Sequence, residues 1–534
     1  MKVMKITEFF KKHEKTISAV TGLGIFMLGL FTVLFYLYKR CRAEFNADFT
    51  DTILWANASV MSGHFYDPDY WYAYFLPFSG IPIMIPIVAA FGLTYFSHQL
   101  GMTVFVVIFA IALIIYMKTN ECTWGGSLAL SGLVMILMCA SSITRMIFYG
   151  HIIHYSLAIV FMCIAYALYF KDRMIPLAIW CMLCCTNGMA TFILFFVPFA
   201  GSIVLERYFD KTPISVEADR PLIKKLGIIF AGGFAGFMIK TVFFGSREYE
   251  DSITALLPSD GWVWKQSPFL LEWIKALTGS SGGDVMMMTF DGIRILVMYT
   301  LAIVLLVVPV FAAISYRKLK SRPLRLLILF YWLMFIMTMW TYSVSYASVS
   351  NWRLAGLVCA AIILSMLYTV NMLKEKLYIR WVIFLIPVFA VSTLVAMLTV
   401  KNIPSALNAN ENDQLIEIYK EHGLTRGYSS FWNTANAVTV LSDNTIQVSP
   451  ILFWPDGRYG VRHYQSDPSG YVDVPGVDRY FVAVDGTEMG YVEDTLVPNA
   501  VETIKFDDGL YILVFDRNIF SDFTPVFSDP YPYE

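Results

Sequence analysis

Long apolar stretches recur along the first 400 residues of this 534-residue chain, and they restrict its fold more than any other feature. A helix needs about 20 apolar residues to cross a bilayer core, where no water satisfies the backbone polar groups. The chain is 57% apolar and only 15% charged, with a mean hydropathy of +0.59. Soluble domains carry about 25% charged residues. The sequence therefore predicts an all-α polytopic membrane domain over residues 1–400.

We predict about eleven transmembrane helices in this domain. The region 174–206 has the least regular pattern, because its first stretch is short and breaks at Asn187-Gly188. The predicted spans are 17–38, 100–117, 124–143, 152–170, 174–187, 189–206, 226–244, 291–316, 324–342, 354–373 and 380–400.

The distribution of lysine and arginine predicts the orientation of the spans. Basic residues precede the first span and cluster in the loops 207–225, 317–325 and 374–380. All four clusters face the cytoplasm if the N-terminus is cytoplasmic, as the positive-inside rule favours. Lys39, Arg40 and Arg42 depart from that rule, since they would face outward. The low basic excess and the lack of a disulfide framework favour the plasma membrane of a bacterium.

The segment Ile81–Phe96 is apolar enough to span, but counting it as a span would place the later basic loops outside. It also contains Pro82 and Pro86. We therefore predict a re-entrant or interface-lying helix within a long first outer loop, residues 39–99. A second long outer loop is predicted at 245–290.

Residues 401–534 are predicted to form a small extracytoplasmic α/β domain. They hold 8 Lys and Arg against 20 Asp and Glu, whereas the rest of the chain has a net charge of +10. Such an acidic segment disfavours nucleic acid as a partner. Helices are predicted at Glu411–Glu421 and Ala435–Leu441. Apolar runs predict strands at Ile446–Val448, Tyr480–Val484 and Gly509–Phe515, with Asp-Gly turn signals at 456–457, 485–486 and 508–509.

Two aspartates, Asp48 and Asp51, follow the first span by about ten residues. The pattern from Asp51 to Ser59 is helical, so the simplest interpretation makes Asp51 a helix-start carboxylate and Asp48 a solvated one. The alternative is catalytic. Two acids three positions apart share one helical face or turn, and each can raise the pKa of the other toward the range of a general base.

The surrounding residues resemble the GT-C superfamily of membrane glycosyltransferases, which use polyprenyl-phosphate sugars. Asp48 and Asp51 lie fifteen and twelve residues before Gly63, with Trp55, Ala56 and Ala58 between them and that glycine. The proline-punctuated segments Tyr66-Asp-Pro68 and Leu76-Pro-Phe-Ser-Gly80 follow. The resemblance covers residues 1–400 and implies that one of the aspartates is the catalytic base. The chain lacks the Asp-Glu pair of many members, so the resemblance leaves open which aspartate it is.

The same resemblance implies outer-face cations that bind the phosphate of the sugar donor. Arg353, in Asn351-Trp-Arg353, matches the late arginine of the superfamily, and an arginine fork suits phosphate. For each cation the alternative is a snorkelling or headgroup-facing side chain, and for each histidine it is packing. The candidates are Arg353, Arg145, Lys265, His151, His154 and Arg247.

We predict no cofactor. His64, Asp67 and Asp69 add to an acid-rich loop, but their spacing is not that of a calcium loop, so a divalent cation is not favoured. Cys181-x-x-Cys184-Cys185 is typical of helix packing more often than of metal binding, and the eight cysteines imply no disulfide framework.

The predicted function is transfer of a sugar from a polyprenyl-phosphate donor to a cell-envelope glycan, lipid or protein acceptor, with inversion at the anomeric carbon. Trp432, Trp454 and Tyr428 are candidates for stacking on the acceptor, with core packing as the alternative. A transporter or flippase for a lipid-linked glycan is a second hypothesis. The nearly uncharged span interiors, with Lys240 as the main exception, disfavour it. A non-enzymatic scaffold that presents the outer domain is a third.

Overall fold

The computed structural model describes residues 2–210, 216–244, 256–262, 264–279, 285–376, 379–405, 410–432, 434–506 and 509–521. Their packing divides the chain into two compact units. The first lies within residues 1–37, 104–242 and 251–403, and the second within 38–103, 243–250 and 404–534. The two units are described separately below.

Most of the described chain is helical. In chain order the helices are α1 Lys2–Lys39, α2 Asp51–Ser62, α3 Ile81–Phe91, α4 Tyr95–Thr119, α5 Trp124–Leu137, α6 Ser142–Arg145, α7 His154–Phe170, α8 Met174–Cys185, α9 Met189–Thr191, α10 Val197–Phe209, α11 Val216–Phe243, α12 Phe269–Thr278, α13 Phe290–Ile314, α14 Arg322–Val344, α15 Asn351–Lys374, α16 Ile379–Asn402, α17 Glu411–Glu421, α18 Ala435–Leu441 and α19 Gly486–Val492.

Eight helices of the described residues are long and apolar enough to cross a membrane. The protein is therefore a multi-pass helical membrane protein, as the hydropathy pattern predicts. The eight candidates are His13–Lys39, Tyr95–Thr119, Met189–Phe209, Asp219–Phe243, Phe290–Ile314, Arg322–Val344, Asn351–Lys374 and Ile383–Asn402.

The other three predicted spans are shorter or bent. The span predicted at 152–170 is α7, an apolar helix of 17 residues, and the span predicted at 174–187 is α8, of 12 residues. The span predicted at 124–143 is α5 followed by a bend of 117° into Ser142–Gly150. The bend arises because Ser141 starts a new helix, where its side chain and that of Thr144 form a capping box. The break predicted at Asn187-Gly188 is confirmed, since Gly188 has φ +83° between α8 and α9. The number of crossings stays a prediction.

Residues 39–99 contain the two predicted helices, α2 and α3. α2 covers the helical pattern that begins at Asp51, and it ends at Gly63, whose φ of +73° suits a glycine C-cap. α3 has 11 residues and is about 16 Å long, too short for a bilayer core of about 30 Å. Its helical state is confirmed, and its position relative to the membrane stays a prediction.

The C-terminal segment forms the predicted α/β domain, built on one six-stranded mixed sheet. The helices at Glu411–Glu421 and Ala435–Leu441 are confirmed. The strands are β1 Arg426–Ser430, β2 Gln447–Phe453, β3 Tyr459–Val461, β4 Tyr480–Val484, β5 Glu502–Phe506 and β6 Leu510–Phe515. Their order is β3-β2-β1-β4-β6-β5, with β1 parallel to both β2 and β4 and the outer pairs antiparallel.

Parts of this domain differ from the prediction. β1, β3 and β5 were not predicted, because β1 is polar, β3 has only three residues, and β5 alternates polar and apolar residues at the sheet edge. The Asp485-Gly486 pair is not a hairpin turn. Asp485 instead caps α19, in a capping box with Glu488. Asp508 and the Gly-rich Ser280–Gly283 lie outside the described residues.

Candidate functional site

The two aspartates lie where a 3₁₀ turn, Ala47–Thr50, continues into α2. The turn begins at Asn46, whose side chain accepts a hydrogen bond of 3.0 Å from the backbone N–H of Asp48. Asp51 is the first residue of α2, as the helical pattern predicts. This short turn brings the two carboxyl groups close enough for Asp48 to raise the pKa of Asp51.

Asp51 is a buried and partnered carboxyl group. Only 5% of it is exposed, and its Oδ2 accepts a hydrogen bond of 2.5 Å from the hydroxyl of Tyr74. Burial first, and the neighbouring Asp48 second, raise the pKa of Asp51 well above its usual range. Hydrogen bonding by Tyr74 and Gln465 lowers that pKa only in part. Asp51 is therefore a helix-start carboxyl group, as the simpler interpretation predicts, and it is buried and hydrogen-bonded.

Asp48 is only half-buried. Desolvation raises its pKa from the ordinary 3.8 to about 6. At neutral pH such a group is mostly ionised, yet it is a stronger base than an ordinary aspartate. Of the two aspartates, Asp48 therefore has the exposure and the pKa that suit a general base.

The residues that hold Asp51 in place come from both ends of the second unit. Trp55, one turn beyond Asp51 on α2, is fully buried, with its ring edge-on to Tyr74. Its indole N–H donates to Oε1 of Gln465 over 2.6 Å. Asn436 in turn donates to the backbone carbonyl of Gln465 over 2.9 Å. The aspartate site thus includes a segment of the C-terminal domain that the sequence did not indicate.

A short bridge to the C-terminal domain precedes Tyr74. Trp71 forms a two-way antiparallel bridge with Ser466, at N···O distances of 3.0 and 3.3 Å. The chain bends at Ala73, between this bridge and Tyr74. No local sequence pattern marks Tyr74 as the partner of Asp51. No local signal marks Gln465, because its partner Trp55 is 410 residues away.

The cations predicted to bind phosphate lie in the first unit, where a rare helix geometry precedes two of them. Residues Met146–Gly150 form a π-helical segment that ends at His151. π-Helical segments occur frequently at functional sites. His151 and His154 are both buried, and His154 lies within electrostatic range of His151 and of Arg353. Three predicted residues are therefore brought together.

Arg353 opens the first turn of α15 and keeps much of its donor capacity. Its Nη1 donates to the carbonyl of Ser348 over 2.7 Å, and its guanidinium lies over the rings of Trp352 and Tyr342. Its buried Nε has no hydrogen-bond partner among the described residues, and no described carboxylate forms an ion pair with it. An arginine that is desolvated but not neutralised is suited to an anionic ligand.

Lys265 and Arg145 have different surroundings. Lys265 donates to the carbonyls of Tyr346 and Ala347, and burial, followed by nearby Arg353, lowers its pKa. Arg145 is 3% exposed, donates to the carbonyl of Cys139 over 2.8 Å and lies over the ring of Tyr36. Lys265 is therefore close to Arg353, whereas Arg145 contacts Cys139, at the bend after α5. Arg247 lies outside the described residues.

The acid-rich loop is organised as a turn. Oδ1 of Asp67 accepts the backbone N–H of Asp69, and the backbone N–H of Asp67 donates to the hydroxyl of Tyr72. Within the described ranges, no group of three or more His, Cys, Asp or Glu residues has the arrangement of a metal site.

The aromatic residues proposed to stack on the acceptor divide by exposure. Tyr428 is buried in the sheet core, with its hydroxyl donating to Asn518, so core packing accounts for it. Trp454 lies against Arg458 at the β2–β3 turn. Trp432 is 59% exposed, so its outer face is accessible.

No protein-family model matches this chain, and a search of curated proteins finds no match.

Proposed function

We propose that this protein is a membrane glycosyltransferase of the GT-C type, which transfers a sugar from a polyprenyl-phosphate donor to an outer-face acceptor. The observation that carries the proposal is the carboxylate pair at the start of α2. Asp51 is buried and fixed by Tyr74, while Asp48 is half-buried with a pKa of about 6. The groups that contact Asp51 come from two distant segments, around Tyr74 and around Gln465.

In the proposed reaction Asp48 removes the proton from an acceptor hydroxyl. That oxygen attacks the anomeric carbon of the donor sugar from the side opposite the phosphate. The new glycosidic bond forms as the bond from the anomeric carbon to the phosphate oxygen breaks, so the configuration inverts. The proton stays on Asp48 until it passes to water, and polyprenyl phosphate departs with the electron pair.

Asp51 has a positioning role in this proposal. Its carboxyl group already accepts the hydroxyl of Tyr74, and burial and neighbouring Asp48 keep its pKa high. A partly protonated Asp51 reduces charge repulsion against Asp48 when the latter is ionised. The neighbour thereby supports a base that is ionised at neutral pH.

Arg353 is the proposed contact for the donor phosphate, with Lys265 as a further cation and the imidazole groups of His151 and His154 as further hydrogen-bonding groups of the same cluster. The unpartnered Nε of Arg353 can donate to a phosphate oxygen, and a guanidinium stabilises the charge that develops on the leaving group. Arg145 is a weaker candidate, because its guanidinium serves Cys139 and Tyr36.

The proposal includes the topology of about eleven spans, a cytoplasmic N-terminus and an extracytoplasmic C-terminal domain in the plasma membrane of a bacterium. Its support is the distribution of basic loops. No metal is assigned a role.

The test is a transfer assay in membranes that contain the protein and radiolabelled polyprenyl-phosphate sugars. We expect Asp48→Asn to lower transfer by about 10²–10⁴-fold, the usual contribution of a general base. Asp51→Asn and Arg353→Ala should also lower transfer, the latter mainly by weakening the donor. Asp69→Asn, an exposed carboxyl in the same loop, and Arg458→Ala, an exposed arginine, are the matched controls. Transfer that is unchanged in all three test variants would contradict the proposal.

A further inference from the structure

A cavity of about 450 Å³ lies within the second unit, beside the aspartate site but not lined by Asp48 or Asp51. One wall is the face of α2 that carries Leu54 and Ala58. The opposite side consists of the first residues of β1 and β2 and of α18, with polar groups from Arg426, Gln447 and Asn436. Its volume lies in the range of about 300–1,000 Å³ that is typical of small-molecule sites.

Amide side chains line much of this cavity. They belong to Asn57 of α2, Asn436 of α18 and Gln447 of β2. An amide group can both donate and accept hydrogen bonds, which suits a ligand rich in hydroxyl groups. Gln465 borders both the cavity and Asp51, so the cavity adjoins the aspartate site.

The charges in the lining favour a neutral ligand. Arg426 is half-buried and forms no ion pair in the described part of the chain. Asp467 and Asp473 border the same cavity and are exposed to solvent. One cation with two carboxylates gives no net attraction for a phosphate or another anion.

The lining combines apolar and polar groups, as a sugar ring does. Leu54 and Ala58 offer an apolar surface for the C–H face of a pyranose. Arg426, Gln447 and Asn57 offer donors and acceptors for its hydroxyl groups. A polypeptide would instead be expected to pair its backbone with a sheet edge, and the described edges of this sheet are β3 and β5, neither of which lines the cavity.

We propose that this cavity binds one or two sugar units of a neutral glycan and holds the acceptor beside the carboxylate pair of α2. Binding of the saccharide stands on the cavity alone, whereas its role as the acceptor rests on the proposed function. The acceptor class would then be a glycan, recognised through Arg426, Gln447 and Asn57 as specificity determinants.

The experiment is saturation-transfer NMR on the full-length protein in nanodiscs, without any lipid-linked donor. The probes are cellobiose, maltose, mannobiose and chitobiose, with glucuronic acid as an anionic comparison and tetra-alanine as a peptide comparison. We expect at least one neutral disaccharide to bind and neither comparison probe to do so. Asn57→Trp fills the cavity from α2 and should abolish binding. The side chain of Asn57 makes no hydrogen bond in the described structure, so its loss costs the fold little.

Gln447→Leu removes only the amide group and should weaken binding by about tenfold, the value of one hydrogen bond. It should lower thermal stability little, because the hydrogen bond that its amide donates to Asn444 is exposed. Gln414→Leu, the same change at a glutamine outside the cavity lining, is the control and should bind as the wild type does.

Three results would overturn the inference: no disaccharide binds, the two cavity variants bind normally, or only the peptide binds. Saccharide binding without any sugar transfer would leave the cavity assignment standing and reject the proposed function. Sugar transfer with an unchanged acceptor KM in Gln447→Leu and Asn57→Trp would retain the proposed function and reject the cavity as the acceptor site.

Discussion

At the scale of single residues, the two aspartates are neighbours in sequence but differ in surroundings. Asp51 is buried and accepts the hydroxyl of Tyr74, whereas Asp48 keeps a partly exposed side chain. Desolvation is the largest cause of the raised pKa of both carboxyl groups. The spacing of three residues predicts mutual influence, but only the packing around each residue assigns them different roles.

The pH profile tests the assignment of Asp48 as the base. A base works in its ionised form, and the folded protein raises the pKa of Asp48 from 3.8 to about 6. Activity should therefore be full above that value and fall as the pH drops through about 6, rather than near 3.8. Measurement of kcat/KM from pH 4.5 to 8.5 locates this limb. Asp48→Asn should remove the limb from its residual activity, and a limb that persists in this variant would reject the assignment.

Tyr74→Phe distinguishes the two aspartates as the base. Its hydroxyl donates to Asp51 and lowers the pKa of that carboxyl, so the variant raises the pKa of Asp51 further. If Asp48 is the base, the acid limb should stay near pH 6 while kcat falls. A limb that moves to higher pH would instead identify Asp51 as the base. The measurement is the midpoint of the acid limb of kcat/KM against pH. Tyr459→Phe is the matched control.

At the scale of elements, an ion pair and hydrogen bonds connect residues 39–99 to the C-terminal helices. Nε and Nη2 of Arg42 donate hydrogen bonds to the carboxylate of Asp413 on α17. Arg42 also donates to the carbonyl of Leu441 at the end of α18. Asp443, just beyond α18, accepts the backbone N–H of Tyr95, the first residue of α4. Arg42 thus has a carboxylate partner in the C-terminal domain.

Removal of the Arg42 fork should destabilise the second unit. Arg42→Ala leaves the 11%-exposed side chain of Asp413 without its cation, and we expect a loss of about 2–3 kcal/mol. Thermal unfolding in detergent, followed by tryptophan fluorescence, measures the change. Arg458→Ala breaks an exposed pair with Asp456 and should cost less than about 0.5 kcal/mol. Equal shifts for the two variants would show that the fork adds no stability.

At the scale of the whole molecule, residues 38–103 and 404–534 build one unit although about 300 residues of chain separate them. The core of the sheet shows why. Trp71, from residues 39–99, is 5% exposed. It packs with Tyr428, Ile451 and Tyr471 of the C-terminal domain. Its ring also stacks on His463 at a centroid distance of 4.1 Å. The C-terminal domain therefore completes its core with a residue from the opposite end of the chain.

Replacement of Trp71 should show this dependence. Trp71→Ala empties a buried site and should cost about 3–5 kcal/mol. Limited proteolysis and thermal unfolding of the full-length protein measure the loss, which should appear first in the C-terminal domain. Trp432→Ala removes a tryptophan of the same domain that is 59% exposed, and it should change stability little. A stable Trp71→Ala protein would mean that the sheet domain has a sufficient core of its own.

The sequence alone determined the features that depend on short-range patterns. Hydropathy predicts the membrane helices, and periodicity with helix-start residues predicts α2, α17 and α18. The 117° bend after α5 was missed, since a serine capping box inside an apolar run is a weak pattern. Only the tertiary structure decided which groups surround the aspartates. Tyr74, Gln465 and Trp71 reach their places through contacts between distant segments, and burial, which no local pattern encodes, sets the pKa of each aspartate.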